Sequence, residues 1–454
     1  MNLPLNGRIA IIDDQYQHAE PLMHVLSQKQ LPFTYFSGEQ KFLPEENNNQ
    51  NDIRVLFLDI NLIDDSEHED KVLKSTLLPV LNRVISATNH PYLIVFWSRH
   101  EAKHRNLLEN DIFRNELKDK KPIGYLSADK YSLFQMTGEK QEDFDEKISL
   151  LFEKINAELS RFPAYNYLLQ WENQVHQSAD KTLQEIFSTS HTFANWSGNA
   201  NYILNKLGKS FSGKVYDTLS PENKMKSCSS TLNIVFSDTI EHLSNTSIIP
   251  NAPLLVVTNG TNTETLYTIN KKLLTSSETE PLSFSGTIIE DGLKKHKSVY
   301  PKDLFNNIIN ISKLEQIMIK EHSSPSGSKL RKLISAKRQE IRSDWKTILL
   351  VATPLCDFVQ RKFKYNRIIK GVMIKSEFLE FIDDKSEAIF ISPPFNYGDH
   401  NYIIVLHFKY FFTIENLNAS PKLKPIFRVR QQLLAEVQSK LARHMSRQGI
   451  LFID

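Results

Sequence analysis

A chain of 454 residues exceeds what one hydrophobic core supports and predicts about three domains. Hydrophobic residues make up 40% of it and charged residues 24%, an ordinary globular composition that argues against wholesale disorder. The formal net charge of +2 is too small to indicate a global affinity for nucleic acid or for membranes.

Cysteine content and hydropathy indicate the compartment. Only Cys228 and Cys356 occur, far apart in sequence, which predicts neither a disulfide framework nor a zinc cluster. No stretch approaches the roughly 18 consecutive apolar residues that span a bilayer. The first predicted strand follows Met1 so closely that we expect no signal peptide. We therefore expect a cytoplasmic protein that makes no membrane contact.

The first strong elements are two continuous apolar runs that end in carboxylates. Ile9-Ala10-Ile11-Ile12 precedes Asp13 and Asp14, and Val55-Leu56-Phe57-Leu58 precedes Asp59. Apolar runs without polar alternation predict strands buried on both faces, as in a parallel sheet. Ligands of such sheets lie beyond the carboxyl ends of the strands, so the three carboxylates should converge. Because bare carboxylates repel each other, this edge favours a hard divalent cation such as Mg²⁺.

Two further apolar runs extend the series. Residues 92–97 end at the hydroxyl of Ser98, and residues 122–126 are followed after a short gap by Lys130. Amphipathic helices and a short strand fill the intervals, which predicts a doubly wound α/β domain over residues 1–155. The predicted helices are 17–30, 71–87 and 143–159, and the short strand is 33–36.

An acid pair, a central aspartate, a hydroxyl and a lysine at successive strand ends resemble the receiver domain of two-component response regulators. The resemblance implies a flavodoxin-like fold in which Asp59 accepts a phosphoryl group from a histidine kinase or phosphotransfer protein. It also implies that Ser98 hydrogen-bonds the phosphoryl group and that Lys130 pairs with it. The implied ligands of Mg²⁺ are Asp13, Asp14, Asp59 and the backbone carbonyl of Asn61.

The resemblance implies a signalling switch, and departures from the family pattern leave an alternative open. Phosphorylation would change contacts with the rest of the chain and with other signalling or effector proteins. Lys130 comes four residues after Leu126, and Tyr131 stands where the family has proline. These departures also fit a pseudo-receiver that carries no phosphate and acts as a scaffold or interaction module.

The remaining two thirds predict two further domains. Residues 156–322 carry helical patterns and predict a mainly α-helical middle domain. The stretch 323–328, rich in serine with proline and glycine, predicts a hinge before a C-terminal α+β domain over 323–454. Predicted helices are 165–188, 199–207, 230–243, 263–274, 301–319, 329–346 and 428–447, and predicted strands are 348–351, 367–374, 388–391 and 402–412.

A third hypothesis makes the C-terminal domain an effector. Cys356 follows a predicted strand beside Asp357, and His400 or His407 could supply a base, although a lone cysteine is more often a core residue. The basic helices could bind nucleic acid, but they contain acids and few aromatics, so we favour solvated helices. Receivers joined to long regions without familiar output motifs also resemble, in architecture alone, proteins of bacterial anti-phage defence clusters.

Overall fold

The structure is a computed structural model that describes residues 8–446, except 46–51, 64–65, 67, 90, 99–100, 136–138, 189–195, 247–262, 277–281, 292–300, 324, 360–363, 416 and 418–422. The chain forms two compact units. The first comprises residues 1–203 and 232–256, and the second comprises residues 204–231 and 257–454. Across the described residues, no helix combines the length and apolar character needed to cross a membrane.

A five-stranded, all-parallel sheet forms the centre of the first unit, in the order β2-β1-β3-β4-β5. The runs of β1 and β3 are buried at every residue because each strand has an apolar core cluster on both of its faces. The prediction of a parallel α/β sheet at the N-terminus is confirmed. The strands are β1 (Ile9–Ile12), β2 (Phe33–Phe36), β3 (Val55–Leu58), β4 (Leu93–Ser98) and β5 (Gly124–Asp129).

Helices cover both faces of this sheet. One core cluster packs α1 and α5 on the first face, and the other packs α2 and a π-helical segment, Leu107–Glu116, on the second. Their apolar stripes agree with the predicted periods, with boundaries shifted by one to three residues. The helices are α1 (Tyr16–Gln28), α2 (Asp70–Val84), α3 (Glu101–Asn106), α4 (Lys130–Leu133) and α5 (Phe144–Ser160).

Strand β5 runs further than the sequence predicts. Its expected end was Leu126, but the last three residues of β4, Phe96 to Ser98, pair with residues 127–129 and extend the ladder by three residues. The polar composition after Leu126 is typical of a loop, and pairing with β4 overrides it. Lys130 consequently follows the last residue of β5 directly.

A long helix, α6 (Pro163–Ser188), is fixed at the amino-terminal ends of the strands, opposite the end that bears Lys130. Glu172 accepts hydrogen bonds from Arg54 at 3.0 and 3.1 Å and pairs with Arg8 at 2.7 Å. The Tyr165 hydroxyl donates to the carbonyl of Arg54 at 3.1 Å. Because Arg8 and Arg54 immediately precede β1 and β3, the helix is held where these two strands begin.

A second helix packs along α6 through small polar side chains. In α8 (Pro221–Thr246), Thr239 accepts a hydrogen bond from Thr182 at 3.4 Å, and Ser244 donates to Gln174 at 3.3 Å. Ser178 and Thr182, on the same side of α6 as Gln174, are buried. The first unit therefore holds α6 from two sides.

The second unit is built on an eight-stranded, largely antiparallel sheet. Helices α10 to α12 cover one face and α14 covers the other. The strands are β6 (Thr275–Ser276), β7 (Thr287–Glu290), β8 (Lys346–Val351), β9 (Tyr365–Lys375), β10 (Ile389–Ile391), β11 (Phe395–Tyr397), β12 (His400–Glu415) and β13 (Lys424–Val429). The remaining helices are α7 (Trp196–Ser212), α9 (Thr263–Leu274), α10 (Pro301–Ile308), α11 (Ile311–Glu321), α12 (Gly327–Asp344), α13 (Leu355–Val359) and α14 (Gln431–Met445).

This unit differs from the predicted division at residue 322. Strands β6 and β7 come from the region expected to form a helical middle domain, yet they pair with β13 and β8 of the C-terminal sheet. The helix expected over 301–319 is broken at Ile309, which bridges to Ile382, and Asn310 caps α11 by accepting from the Lys313 amide at 3.0 Å. Neither glycine nor proline marks that break in the sequence.

The Glu172 clamp gives a stability prediction. Glu172→Gln removes the charge that balances two arginines whose side chains are only 12–15% exposed. We expect it to lower the free energy of unfolding by about 1–3 kcal/mol in urea denaturation. The matched control is Glu185→Gln on the same helix, whose pair with Lys181 is solvent-exposed and should contribute less than about 0.5 kcal/mol. Equal effects would show that the clamp does not stabilise the unit.

Candidate functional site

Asp13 and Asp59 are placed by the ends of β1 and β3. The Asp59 amide donates to the carbonyl of Ile12 at 2.8 Å, and the Asp13 amide donates to the carbonyl of Phe36 at 3.1 Å. These bonds continue the ladder one residue beyond each strand and fix both backbones. The carboxylates of Asp13, Asp14 and Asp59 offer ligand atoms within 4.8 Å of one another. The predicted convergence is therefore present.

Lys130 joins the cluster as its internal cation. Its ammonium lies 2.7 Å from Oδ2 of Asp13 and also donates to Oδ2 of Asp59, and the side chain is 2% exposed. Burial works against the charged ammonium, but the charges of Asp59 and Asp13 outweigh it and raise the pKa of Lys130. The lysine is therefore held in its charged form.

The carboxylates of Asp13 and Asp59 are each oriented by a hydrogen bond to Oδ1, the oxygen that Lys130 does not contact. Oδ1 of Asp13 accepts from the Gln15 amide at 3.0 Å, and Oδ1 of Asp59 accepts from the Asn61 amide at 3.1 Å. The Asn61 side chain donates to the carbonyl of Ser66 at 2.7 Å and so holds the loop after β3. The Asn61 carbonyl as a metal ligand stays a prediction.

The three carboxylates of the cluster differ in burial. Asp13 is fully buried, Asp59 is 7% exposed and Asp14 is half-buried. Burial raises the pKa of Asp13, Lys130 opposes that rise, and the charge of Asp59 adds to it, giving about 7. Additional positive charge would stabilise this cluster.

The donor set fits Mg²⁺. Carboxylate oxygens are its preferred protein ligands, and opposite ligands of an octahedral shell lie about 4.2 Å apart. The three carboxylates offer ligand atoms within 4.8 Å of one another, close to that span. Asp14 is the most exposed of the three, and Lys130 already bonds one oxygen each of Asp13 and Asp59.

Ser98 lies at the same edge. It is the last residue of β4, is 3% exposed and pairs in register with Asp129, the residue before Lys130. The structure thus brings the strand ends bearing the predicted Ser98 and Lys130 to the edge that holds the acids. The bond from Ser98 to a phosphoryl group stays a prediction.

Tyr35 is a site residue that sequence reasoning missed. Its hydroxyl donates to the backbone carbonyl of Asp13 at 2.7 Å. Burial, followed by the nearby charges of Asp13 and Asp14, raises the pKa of Tyr35 to about 12, so the hydroxyl keeps its proton. The one available signal was its place on the strand next to β1.

The C-terminal candidates are not brought together. Helix α13, which contains Cys356, begins beyond Val351. His400 begins β12 near the opposite end of the strands, as their registers show. His407 is buried, which lowers its pKa to about 4, and it pairs in register with Ile389 of β10. The Cys356 side chain lies outside the described residues.

The basic helix α12 is confirmed, and part of its charge is engaged within the unit. Lys337 pairs with Glu340 at 2.9 Å and lies over the Phe381 ring, and Arg338 donates to Asn306 at 2.6 Å. These contacts agree with the preferred interpretation of a solvated amphipathic helix. They leave nucleic-acid binding by this helix without support.

No family model matches the chain, and comparisons with characterised proteins and with solved structures return no match either. Any functional argument therefore depends on the geometry of the site.

Replacing Lys130 tests whether the cluster accepts a metal cation. Lys130→Met leaves buried carboxylates without their internal cation and should cost about 3–5 kcal/mol of stability at pH 8 in the presence of a chelator. Because Mg²⁺ can replace the missing charge, it should stabilise the variant more than the wild type in thermal denaturation.

The matched control is Lys147→Met, which removes an exposed pair with Asp143 and should change stability by less than about 0.5 kcal/mol. Mg²⁺ that stabilises neither wild type nor the Lys130 variant would contradict a metal site.

The pKa of Asp13 predicts a pH dependence in the absence of metal. The folded state holds a proton on Asp13 up to about pH 7, whereas the unfolded chain releases it near pH 4. The contribution of Asp13 to the free energy of unfolding should therefore be fully present below about pH 4. It should be lost as the pH rises through about 7, and the loss should be on the order of a few kcal/mol. Urea denaturation of wild type and Asp13→Asn from pH 5 to 8 measures it. Parallel slopes in the two proteins would refute the assignment.

Proposed function

We propose that residues 1–155, within the first unit, are a receiver-like domain in which Asp59 accepts a phosphoryl group with the help of Mg²⁺. The strand order β2-β1-β3-β4-β5 matches the flavodoxin-like doubly wound order, whose ligands lie at the carboxyl ends of the strands. The observation that carries the proposal is the buried Lys130, bonded to both Asp13 and Asp59 at that edge. A structural ion pair alone would not require the further acid Asp14 beside it.

The chemistry assigns a role to each side chain. An oxygen of Asp59 attacks phosphorus from the side opposite the leaving group, so the new P–O bond forms as the bond to the donor breaks. The leaving group, a histidine nitrogen in a kinase or phosphotransfer protein, keeps the electron pair. Mg²⁺, held by Asp13, Asp14 and Asp59, would supply charge neutralisation on the donor phosphate.

Lys130 and Ser98 would respond to the transferred group. The ammonium of Lys130, already in contact with Asp59, would pair with the phosphoryl oxygens. The Ser98 hydroxyl would donate to one of them and so change its contacts at the end of β4. Such a change would alter the surface that α3 and the π-helical segment present to other signalling or effector proteins.

One observation favours the pseudo-receiver as a second candidate. Asp59 is 7% exposed and Asp13 is fully buried, so the cluster resembles a closed ion-pair network. In that function Lys130 would serve only to neutralise the acids, and the domain would act as a scaffold. The two functions differ in Mg²⁺ affinity and in labelling at Asp59.

Labelling with a small phosphodonor separates the two functions. With acetyl phosphate and Mg²⁺, the wild-type chain should gain one hydroxylamine-sensitive phosphoryl group by intact-mass analysis, and Asp59→Asn should gain none. Lys130→Met should label at least tenfold more slowly, because the ammonium no longer stabilises charge on the group in transfer.

The control is Asp129→Asn, an exposed aspartate at the end of β5 outside the proposed machinery, which should label like the wild type. Equal labelling of wild type and Asp59→Asn would remove the phospho-acceptor function. Absence of labelling in a folded wild-type protein that also binds little Mg²⁺ would favour the scaffold.

A further inference from the structure

Tyr35 reaches the turn that carries the acid pair from the neighbouring strand. It lies on β2 in register with Ile11 of β1, two residues before Asp13. Its ring packs on the core cluster of the first face of the sheet, and its hydroxyl donates to the backbone carbonyl of Asp13 at 2.7 Å. The peptide group that joins Asp13 to Asp14 is therefore held from outside the turn.

The ring of Tyr35 also contacts the far end of the same turn. It meets the ring of Tyr16, the first residue of α1, edge to face, with the centroids 5.8 Å apart and the planes at 90°. Aromatic pairs in this arrangement attract each other beyond the effect of the area they bury. One side chain therefore holds both ends of the turn 13–16, through its hydroxyl at Asp13 and through its ring at Tyr16.

Hydrogen bonds within the turn fix the rest of its backbone. The Gln15 amide donates to Oδ1 of Asp13 at 3.0 Å, and the Gln15 carbonyl accepts from the His18 amide at 3.0 Å as α1 begins. These bonds anchor the backbone after Asp14, and the Tyr35 hydroxyl anchors the peptide group before it. Because Asp14 lies between the two anchors, the direction of its carboxylate depends on both.

The rigidity of this turn affects which divalent cation the carboxylates can hold. The ligand atoms of Asp13, Asp14 and Asp59 lie within 4.8 Å of one another. Mg²⁺ demands a nearly ideal octahedron of oxygens at about 2.1 Å, whereas Ca²⁺ accepts about six to eight oxygens at roughly 2.3–2.6 Å in flexible geometry. A turn whose backbone is anchored on both sides of Asp14 favours the ion with the stricter geometry.

We propose that Tyr35 is a positioning residue that gives the carboxylate cluster a preference for Mg²⁺ over Ca²⁺. It holds the backbone of the acid pair and acts through Asp13 and Asp14, so it has no part in the transfer itself. The inference rests on the proposed function in one respect, because it takes Mg²⁺ as the ion that these acids hold. It does not require Asp59 to accept a phosphoryl group.

Calorimetric titration of the full chain with Mg²⁺ and with Ca²⁺ tests the assignment. Tyr35→Phe keeps the ring and removes only the hydroxyl, and it should weaken Mg²⁺ binding about tenfold or more. Binding of Ca²⁺ should weaken by less than about threefold, because flexible coordination tolerates a displaced carboxylate. The ratio of the two affinities is the decisive quantity, since a general loss of stability would weaken the binding of both ions alike.

The matched control is Tyr165→Phe, which removes the same atom from a hydrogen bond of the same kind at the other end of the strands. The Tyr165 hydroxyl donates to the backbone carbonyl of Arg54 at 3.1 Å. Without metal, both variants should lower the melting temperature by a similar amount, roughly 2–4 °C. Only Tyr35→Phe should change the affinity for Mg²⁺.

Several results would overturn the proposal: an unchanged Mg²⁺ affinity in Tyr35→Phe, equal losses of Mg²⁺ and Ca²⁺ affinity in that variant, an equal loss of Mg²⁺ affinity in Tyr165→Phe, or a wild type that binds no Mg²⁺. Because labelling of Asp59 is measured separately, the two proposals can fail independently. A Mg²⁺ preference that is lost in Tyr35→Phe, in a chain that never labels, would support the role of Tyr35 and count against the phospho-acceptor function. A chain that labels and keeps its Mg²⁺ preference in Tyr35→Phe would do the reverse.

Discussion

The ion pair of Lys130 with Asp13 and Asp59 is the interaction on which the candidate site depends. A lysine that is 2% exposed is stable in the charged form only when carboxylates of comparable burial face it, and here two of them do. The pair also explains why the acids tolerate one another, since each bonds the same ammonium. Asp14 lies at the more accessible side of the cluster. Three carboxylates whose oxygens lie within reach of one another form a donor set that suits a small divalent cation such as Mg²⁺.

Much of this site was predictable from the sequence because its parts lie at strand ends. Continuous apolar runs identify β1 and β3, and the residues that follow them must lie at one edge when the strands are parallel. The position of Lys130 was harder to predict. The stretch from Ser127 to Asp129 is polar, and only its pairing with the end of β4 makes it a strand. Tyr35 was missed because its bond goes to a backbone carbonyl, which no side-chain pattern encodes.

The second unit was less predictable because its sheet is assembled from distant segments. Strand β6 has two residues, and both are polar, so it carries no recognisable pattern until β13 pairs with it. The residues of β13 alternate in burial, and they precede an amphipathic helix so closely that Arg428 was placed in that helix. The break at Ile309 arises from a bridge to Ile382, a contact 73 positions away along the chain. Non-local pairing of this kind overrides local propensity and leaves no signal in the segment itself.

The two ends of β1 and β3 have different physical roles. Each strand is followed by an acid of the site and preceded by an arginine that binds Glu172 of α6. The site and this arginine–Glu172 clamp are therefore separated by one strand length, roughly 15 Å. A unit charge added at Asp59 would interact with the clamp by about 1 kcal/mol at an effective dielectric constant near 20, before screening by salt. That energy is too small to release a helix that is also held by Tyr165, Leu169 and α8. The clamp therefore acts as a fixed frame, and a change of charge at Asp59 would act on the segments nearest to it, which are the loop after β3 and the start of α4.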